Sequence, residues 1–192
     1  PPGGEEQDNP GREFAPEGGI NLLYVGNIAP PIYDLRGYFA AGAEEEKVRL
    51  KVITRERALK LHGALYEFND VDGPQVLHAQ GQQLQQHYQE ADIALCVWEG
   101  VEYHRFVMPV KVYESIAHGV PLIVSSSAEV LARFVEREKI GWVVQNADEF
   151  TMLLRRLAEH PGEIVERRQA VESIRHLHTW DQRAREAVSY TH

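Results

Sequence analysis

An α/β fold with a mainly parallel sheet of about six strands and helices on both faces is predicted by two features of the sequence. Six short apolar runs end in turn residues and are typical of strands; they span residues 21–25, 50–53, 75–78, 93–98, 122–124 and 141–144. The segments between these runs fit helices. Strands that alternate with helices form βαβ units, so three layers are expected, with the sheet in the middle.

Local signals mark several of the helices. Residues 56–65 and 82–90 follow the second and third strands, and a mostly charged segment at 162–176 fits another helix. Three N-terminal capping patterns are expected to begin later helices: Ser126 with Glu129, Asn146 with Glu149, and Thr179 with Gln182.

Length and composition indicate one folded domain. A chain of 192 residues can bury a full core. Residues 1–18 are rich in Gly, Pro and acidic side chains and are predicted to be a linker or tail, with the domain at 19–192. The sequence has no signal peptide and no apolar run of membrane-spanning length, so a cytoplasmic location is expected. Because the chain begins with Pro1 rather than Met, we expect it to be part of a longer protein.

Charge and cysteine content exclude several classes of function. The net charge of -9 argues against nucleic-acid binding, which needs a basic face. Cys96 is the only cysteine, so an internal disulfide is impossible, and its apolar neighbours predict a buried thiol. The sequence contains no HExxH, Walker A or G-x-S-x-G pattern, and we expect neither a metal site nor a cofactor.

The most informative segment is a short helix predicted at residues 109–119. Pro109 suits the first helical turn, and Gly119 suits the residue just beyond the last turn. Lys111 and Glu114 are three residues apart and project from nearly the same face. A cation at a helix N-terminus favours a phosphate, and a carboxylate one turn later can accept hydrogen bonds from sugar hydroxyls. The pair therefore indicates a nucleotide or nucleotide sugar, unless Lys111 and Glu114 simply pair with each other on the surface.

Other candidate binding residues follow the predicted strands. In parallel sheets, ligands bind outside the carboxyl ends of the strands, and Gly26, Asn27, Arg55 and Gly81 all lie at such ends. Gly26 permits close approach of a ligand to the backbone, although many such glycines only form turns. Arg55 can reach a diphosphate, or can form a surface ion pair with Glu56 or Glu45; Gly81 can present backbone groups to a base, or can belong to a plain loop.

A loop before the 109–119 helix carries the remaining candidates. Glu99, Glu102 and His104 combine carboxylate and imidazole groups beside the helix start, and such loops at a sheet edge are often functional. The alternative is a solvated loop without a chemical role, and the sequence identifies no partner for His104. We therefore treat these three residues as weak candidates for catalysis.

The order of these segments resembles the C-terminal, nucleotide-sugar-binding half of glycosyltransferases with the two-domain GT-B fold. The closest likeness is to the large retaining family called glycosyl transferases group 1, over about residues 14–190. The similar features are a first strand with a Gly turn at 22–26, a strand at 91–95, the 109–121 segment with Pro109, Lys111, Glu114, Ala117, Gly119 and Pro121, the 141–144 strand, and Thr179-Trp180. Residues 14–16 are similar to the end of the connection between the two domains.

The resemblance implies a Rossmann-like domain that binds a UDP- or GDP-sugar and transfers the sugar with retention. It implies that Glu114 contacts the ribose, and that a second Rossmann-like domain, absent here, precedes the chain and holds the acceptor, which is lipid-linked or carbohydrate. The whole enzyme is then expected in polysaccharide biosynthesis, in the cytoplasm or at the inner membrane through the absent domain. The isolated chain is expected to bind nucleotide weakly and to turn over little.

Two departures from the family pattern shift the expected roles. Asn27 stands where the family has Arg after the first-strand glycine. The family's Lys a few residues later is also missing, since residues 29–31 are Ala-Pro-Pro. Diphosphate binding is then expected to depend on Lys111, the helix N-terminus and Arg55. The earlier glutamate of the family falls on Phe106 here, and Glu99 or Glu102 can substitute for it. Two alternatives stay open, a non-catalytic interaction or regulatory domain and a nucleotide-sugar 2-epimerase.

Overall fold

Six parallel strands form one sheet through the middle of the domain. The computed structural model describes residues 19–66, 74–98 and 105–178. Within these ranges the strands are β1 (Ile20–Val25), β2 (Val48–Ile53), β3 (Gln75–Leu77), β4 (Ile93–Cys96), β5 (Leu122–Ser125) and β6 (Gly141–Val144). They lie in the order β3-β2-β1-β4-β5-β6, and every neighbouring pair is parallel. The six predicted strands are confirmed, with small differences at their ends.

Helices cover both faces of this sheet. They are α1 (Arg36–Ala43), α2 (Glu56–His62), α3 (Gln82–Glu90), α4 (Val110–Ala117), α5 (Glu129–Glu138), α6 (Ala147–Glu159) and α7 (Gly162–Arg175), with short 3₁₀ turns at Gly63–Tyr66 and His176–His178. On one face α1 and α6 meet through Tyr38 and Phe150, whose rings are 5.3 Å apart, edge to face. The opposite face carries the cluster that includes α3, α4 and α5. The predicted three-layer, Rossmann-like α/β fold is confirmed.

The strands are buried on both faces, which explains why the sequence shows apolar runs rather than alternation. Every residue of β4 and β5 is buried. A strand covered by helices on both sides gains from an apolar side chain at each position. Because the strands are parallel, the residues that follow them all lie at the same edge of the sheet.

The helix ends test the predicted caps. Pro109 is the N-cap of α4 rather than its first helical residue, so the helix begins at Val110. Gly119 has a φ of +70°, as its place beyond the last turn requires. Asn146 caps α6, since its side-chain oxygen accepts the Glu149 N–H at 3.0 Å.

The predicted capping box of Ser126 and Glu129 is wrong. The N-cap of α5 is Ala128, which makes no side-chain cap. The Ser126 N–H donates to the Val144 carbonyl instead, so this stretch continues as a loop beside β6. The Glu129 carboxylate binds Arg105 at 2.7 Å. Thr179 and Gln182, like the linker or tail predicted at 1–18, lie outside the described residues.

None of the helices in the described ranges has both the length and the apolar content needed to cross a membrane.

A buried carboxylate locks the amino ends of β1 and β4 together. Asp92, just before β4, is 1% exposed. Its Oδ2 accepts hydrogen bonds from the Asn21 backbone N–H at 2.9 Å and from the Asn21 side-chain amide at 3.1 Å. Its Oδ1 accepts one from the Arg168 guanidinium of α7 at 3.3 Å, and Arg168 also donates to the Ala91 carbonyl at 2.6 Å. One side chain thus joins two central strands to the last long helix.

Replacement of Asp92 tests how much this carboxylate contributes to the stability of the fold. We expect Asp92→Asn to lower the free energy of unfolding by about 3 kcal/mol, because loss of one partner leaves a mostly buried guanidinium without its counter-charge. Urea denaturation followed by circular dichroism measures the change. Glu56→Gln is the matched control, since it breaks an exposed pair with Lys60 and should cost less than about 1 kcal/mol. Equal losses in the two variants would contradict the role given to Asp92.

Candidate functional site

The carboxyl ends of β1 and β4 meet at the point where the strand order reverses. Chain connections from β1 lead to β2 on one side, while β4 pairs with β1 on the other. In open α/β sheets this switch point leaves a crevice beyond the strand ends, where ligands bind. The residue that ends β1 is Val25, so Gly26 is the first residue in the crevice.

Lys111 reaches from α4 to the backbone of Gly26. A Cβ atom built on Gly26 would lie only 2.8 Å from the Lys111 Nζ and 2.8 Å from the Tyr24 hydroxyl. The two residues predicted from the sequence to share a site are therefore neighbours, although β1 and α4 are far apart in the chain. A side chain at position 26 would have to displace the end of the Lys111 side chain or the Tyr24 hydroxyl, so the space beside Gly26 is taken up by these two groups.

The Lys111 ammonium lies over two aromatic rings. Its Nζ is 4.7 Å from the centroid of the Tyr24 ring and 5.7 Å from that of Trp98. Within residues 19–66, 74–98 and 105–178, no carboxylate comes within 4.0 Å of this amine and no acceptor receives a hydrogen bond from it. The surface pair with Glu114 that the sequence allowed is not formed. Among the described residues, the Lys111 ammonium therefore contacts two aromatic rings and has no carboxylate partner.

Glu114 follows one turn later and has a single protein donor among the described residues. The Tyr88 hydroxyl of α3 donates to its Oε2 at 3.3 Å. Burial, and secondly the negative charge of Glu114, raise the pKa of Tyr88, so the phenol stays a neutral donor. The Tyr88 ring stacks on His118, with centroids 4.9 Å apart. A carboxylate accepts several hydrogen bonds, so Glu114 keeps acceptor capacity for hydroxyl groups.

Asn27 organises its own loop. Its side-chain oxygen accepts the N–H groups of Ile28 at 2.9 Å and Ala29 at 3.2 Å, and its carbonyl accepts the Tyr24 hydroxyl at 2.8 Å. This is the local hydrogen bonding that asparagine commonly makes in turns. The sequence carried a signal for this turn, because Asn27 precedes a Pro-containing segment. A contact of Asn27 with a ligand stays a prediction.

Arg55 and Gly81 lie on the neighbouring strands at the same edge. Arg55 is exposed and precedes the first residue of α2, directly beyond the end of β2. Neither carboxylate expected to pair with it does so: Glu56 binds Lys60, and Glu45 binds Arg155.

Gly81 is the N-cap of α3, with a φ of +57° and open space where a Cβ would stand. Its exposed backbone fits the predicted contact with a flat group such as a base. The weak catalytic candidates Glu99, Glu102 and His104 lie outside the described residues.

Sequence reasoning did not single out the two aromatic residues that lie beside Lys111. Trp98 and Tyr24 were part of predicted strands, where an aromatic residue usually signals core packing. Trp98 is held by Ser125, whose hydroxyl accepts its N–H at 3.0 Å and donates to its carbonyl at 3.2 Å. A signal existed, since both aromatics lie within two residues of a strand end, but nothing in the sequence pairs them with Lys111.

In the part of the chain that the structure describes, the other titratable groups give no further site. Burial raises the pKa of the Cys96 thiol to about 11, which agrees with the predicted inert, buried cysteine. Across the described residues, no group of three His, Cys, Asp or Glu side chains is placed to hold a metal ion. The absence of a metal or cofactor stays a prediction.

Solved structures of low sequence identity share this fold. TarM superposes with a TM-score of 0.62 at 10% identity, over 88% of this chain and 34% of its own. WaaG, a glycosyltransferase involved in lipopolysaccharide biosynthesis, gives 0.62 at 16% identity, over 86% of this chain and 44% of its own. The chain therefore spans less than half the length of these two proteins.

A third structure is a separate domain of similar size. The C-terminal domain of a glycosyl transferase group 1 family protein, LpcC from Francisella tularensis, superposes with a TM-score of 0.60 at 13% identity, over 81% of this chain and 83% of its own.

No curated protein matches the sequence. A family model described as glycosyl transferase-like matches residues 46–189, which is most of the chain. The expected resemblance to the C-terminal domain of GT-B glycosyltransferases is confirmed, and the chain belongs to the glycosyl transferase-like family.

Proposed function

We propose that this chain is the donor-binding domain of a glycosyltransferase and that it holds a nucleoside-diphosphate sugar at the carboxyl ends of β1 and β4. One observation carries the proposal. The Lys111 ammonium lies beside the Gly26 backbone without a protein counter-charge in the described residues, one helical turn from the Glu114 carboxylate. A cation and a hydroxyl acceptor at this separation match a diphosphate joined to a ribose.

Lys111 and the start of α4 together suit the diphosphate. The N-cap Pro109 makes no side-chain hydrogen bond to the first turn, so backbone N–H groups there are available to an anion. In sugar transfer the diphosphate is the leaving group and gains negative charge as its bond to the sugar breaks. A fixed ammonium and helix N–H groups stabilise that charge, which is how preorganised donors lower a barrier.

Glu114 suits the ribose because the helix fixes its distance from Lys111. Three residues of α-helix advance about 4.5 Å along the axis, which is comparable to the span from a phosphate to the ribose hydroxyls. The Tyr88 hydroxyl holds one carboxylate oxygen at 3.3 Å and so limits the rotation of the side chain. Gly81 and Arg55 flank this arrangement and are proposed to contact the base and the diphosphate.

The finer assignments belong to the whole protein. We take the base to be uracil or guanine and the transfer to retain the configuration of the sugar. The acceptor is proposed to be a lipid-linked or carbohydrate molecule, held by a second Rossmann-like domain, in the cytoplasm or at the inner membrane. The lengths of TarM and WaaG support a second domain. Lipopolysaccharide biosynthesis, named for WaaG, supports a role in making polysaccharides.

We expect Lys111 to contribute more than Arg55 to nucleotide binding. Lys111→Met should weaken UDP or GDP binding roughly tenfold to a hundredfold, because a hydrogen bond to a charged group is worth about 1.5–3 kcal/mol. Arg55→Met should weaken it less. Isothermal titration calorimetry at fixed salt measures both, and Lys60→Met, at an exposed ion pair on α2, is the control that should leave affinity unchanged.

Two results count against this assignment. If wild-type protein binds neither nucleotide, the chain is better described as a non-catalytic α/β domain. If Arg55→Met has the larger effect, the diphosphate lies nearer to β2 than proposed.

We expect Glu114 to accept hydrogen bonds from the ribose hydroxyl groups. Glu114→Gln keeps an acceptor for the Tyr88 hydroxyl but removes the charge, and we expect an affinity loss of about fivefold for UDP or GDP, since hydrogen bonds to charged groups exceed neutral ones by about 1 kcal/mol. The same variant should bind the corresponding 2′,3′-dideoxynucleoside diphosphate as wild type does. Glu136→Gln, on the exposed face of α5, is the matched control. An equal loss for both nucleotides would show that Glu114 acts through the fold and not through ribose.

A further inference from the structure

We infer that Tyr24 and Trp98 are positioning residues for Lys111, and that their rings hold the ammonium over Gly26 while leaving its charge and its hydrogen-bond donors to a diphosphate. The inference rests on the proposed function, in which Lys111 binds that group. Neither aromatic residue is proposed to touch the ligand, so both act through the lysine. We call the two rings and Gly26 the aromatic cradle.

The aromatic cradle lies at the carboxyl end of β1, with the Lys111 ammonium beside Gly26. Tyr24 belongs to the core cluster on the α1 and α6 face, whereas Trp98 belongs to the cluster on the α4 and α5 face. Lys111 starts from α4 and its Nζ lies 4.7 Å from the Tyr24 ring and 5.7 Å from the Trp98 ring. Its side chain therefore passes over the end of β1 from one face of the sheet toward the other. This is the point at which the crevice opens.

Aromatic faces suit this task better than a carboxylate. The negative face of a ring attracts a cation, most strongly for tryptophan. That attraction does not use the N–H groups as a hydrogen bond to an acceptor would, and it does not cancel the charge. An ion pair would neutralise Lys111 and would have to break before an anion could bind. A lysine held by rings is restrained in advance, so less conformational freedom is lost when the ligand arrives.

Both aromatic side chains are buried, and each residue is hydrogen-bonded to a neighbouring segment. Tyr24 and Trp98 are 1% and 3% exposed. The Tyr24 hydroxyl donates to the Asn27 carbonyl at 2.8 Å, which ties the ring to the loop after β1. The backbone N–H and carbonyl of Trp98 form hydrogen bonds with the Ser125 hydroxyl at the end of β5, at 3.0 and 3.2 Å. The residues that carry the two rings are thus anchored at the carboxyl ends of β1, β4 and β5.

Fluorinated tryptophan tests the cradle without a change in packing volume. Successive fluorine atoms on the indole weaken its attraction for a cation while nearly conserving its shape. We expect the affinity for UDP or GDP, measured by titration calorimetry, to fall stepwise along the series, by roughly fivefold to tenfold at full fluorination. Uridine or guanosine, which lack the diphosphate, should bind equally at each step. The same series in Lys111→Met protein should be flat, which also cancels any contribution from the other two tryptophans.

A substitution series gives a second, independent readout. Trp98→Leu should weaken binding of the diphosphate by about as much as full fluorination, and Trp98→Phe should restore most of it because a ring face returns. In a Lys111→Met background, Trp98→Leu should have no further effect. Circular dichroism confirms that each variant is folded before it is titrated.

The outcomes separate the inference from the proposed function. If wild type binds UDP or GDP but the fluorinated series is flat, the cradle is wrong and the proposed function stands. If fluorination weakens nucleoside and nucleoside diphosphate alike, the tryptophan acts on the fold or the base, and the inference is also overturned. If wild type binds neither nucleotide, both fail together.

Discussion

The parallel pairing of β1 with β4 is the constraint on which the site depends. It places two segments distant in the chain side by side, and it reverses the strand order so that a crevice opens at their carboxyl ends. At the amino ends, the buried Asp92 carboxylate binds Asn21 of β1 and Arg168 of α7. A shift of register would break this polar contact at one end and separate Gly26 from Lys111 at the other. The fold and the candidate site therefore both depend on the pairing of β1 with β4.

Much of the fold could be predicted because its signals are local. Strands buried on both faces require continuous apolar runs, and these were visible in the sequence as six separate segments. The end of α4 was equally clear, since only glycine easily adopts the φ of +70° found at position 119. Asn146 could be read as a cap for the same reason, because its partner Glu149 is three residues away.

The failures have a common physical cause, which is competition from distant partners. Glu129 has the spacing of a capping box with Ser126, but Arg105 takes its carboxylate and the Val144 carbonyl takes the Ser126 N–H. The Asn27 side-chain oxygen accepts N–H groups of its own loop, which its position alone did not show, and its contact with a ligand stays a prediction. The surroundings of Lys111 depend on rings from two strands. Sequence spacing indicated which groups lie at the edge, but only the packing decides which of them are still free to bind.

The rigidity of α4 gives the candidate site its proposed selectivity. Val112 and Ile116 are both fully buried, so the helix is fixed to the sheet on the face opposite to the ligand groups. The backbone positions of Lys111 and Glu114 then keep one separation, set by helical geometry and not by a loop. A free phosphate would satisfy only the lysine and a nucleoside only the glutamate, whereas a nucleoside diphosphate satisfies both. In an acidic chain of net charge -9, a cation beside aromatic rings rather than a carboxylate would leave the proposed site open to an anion.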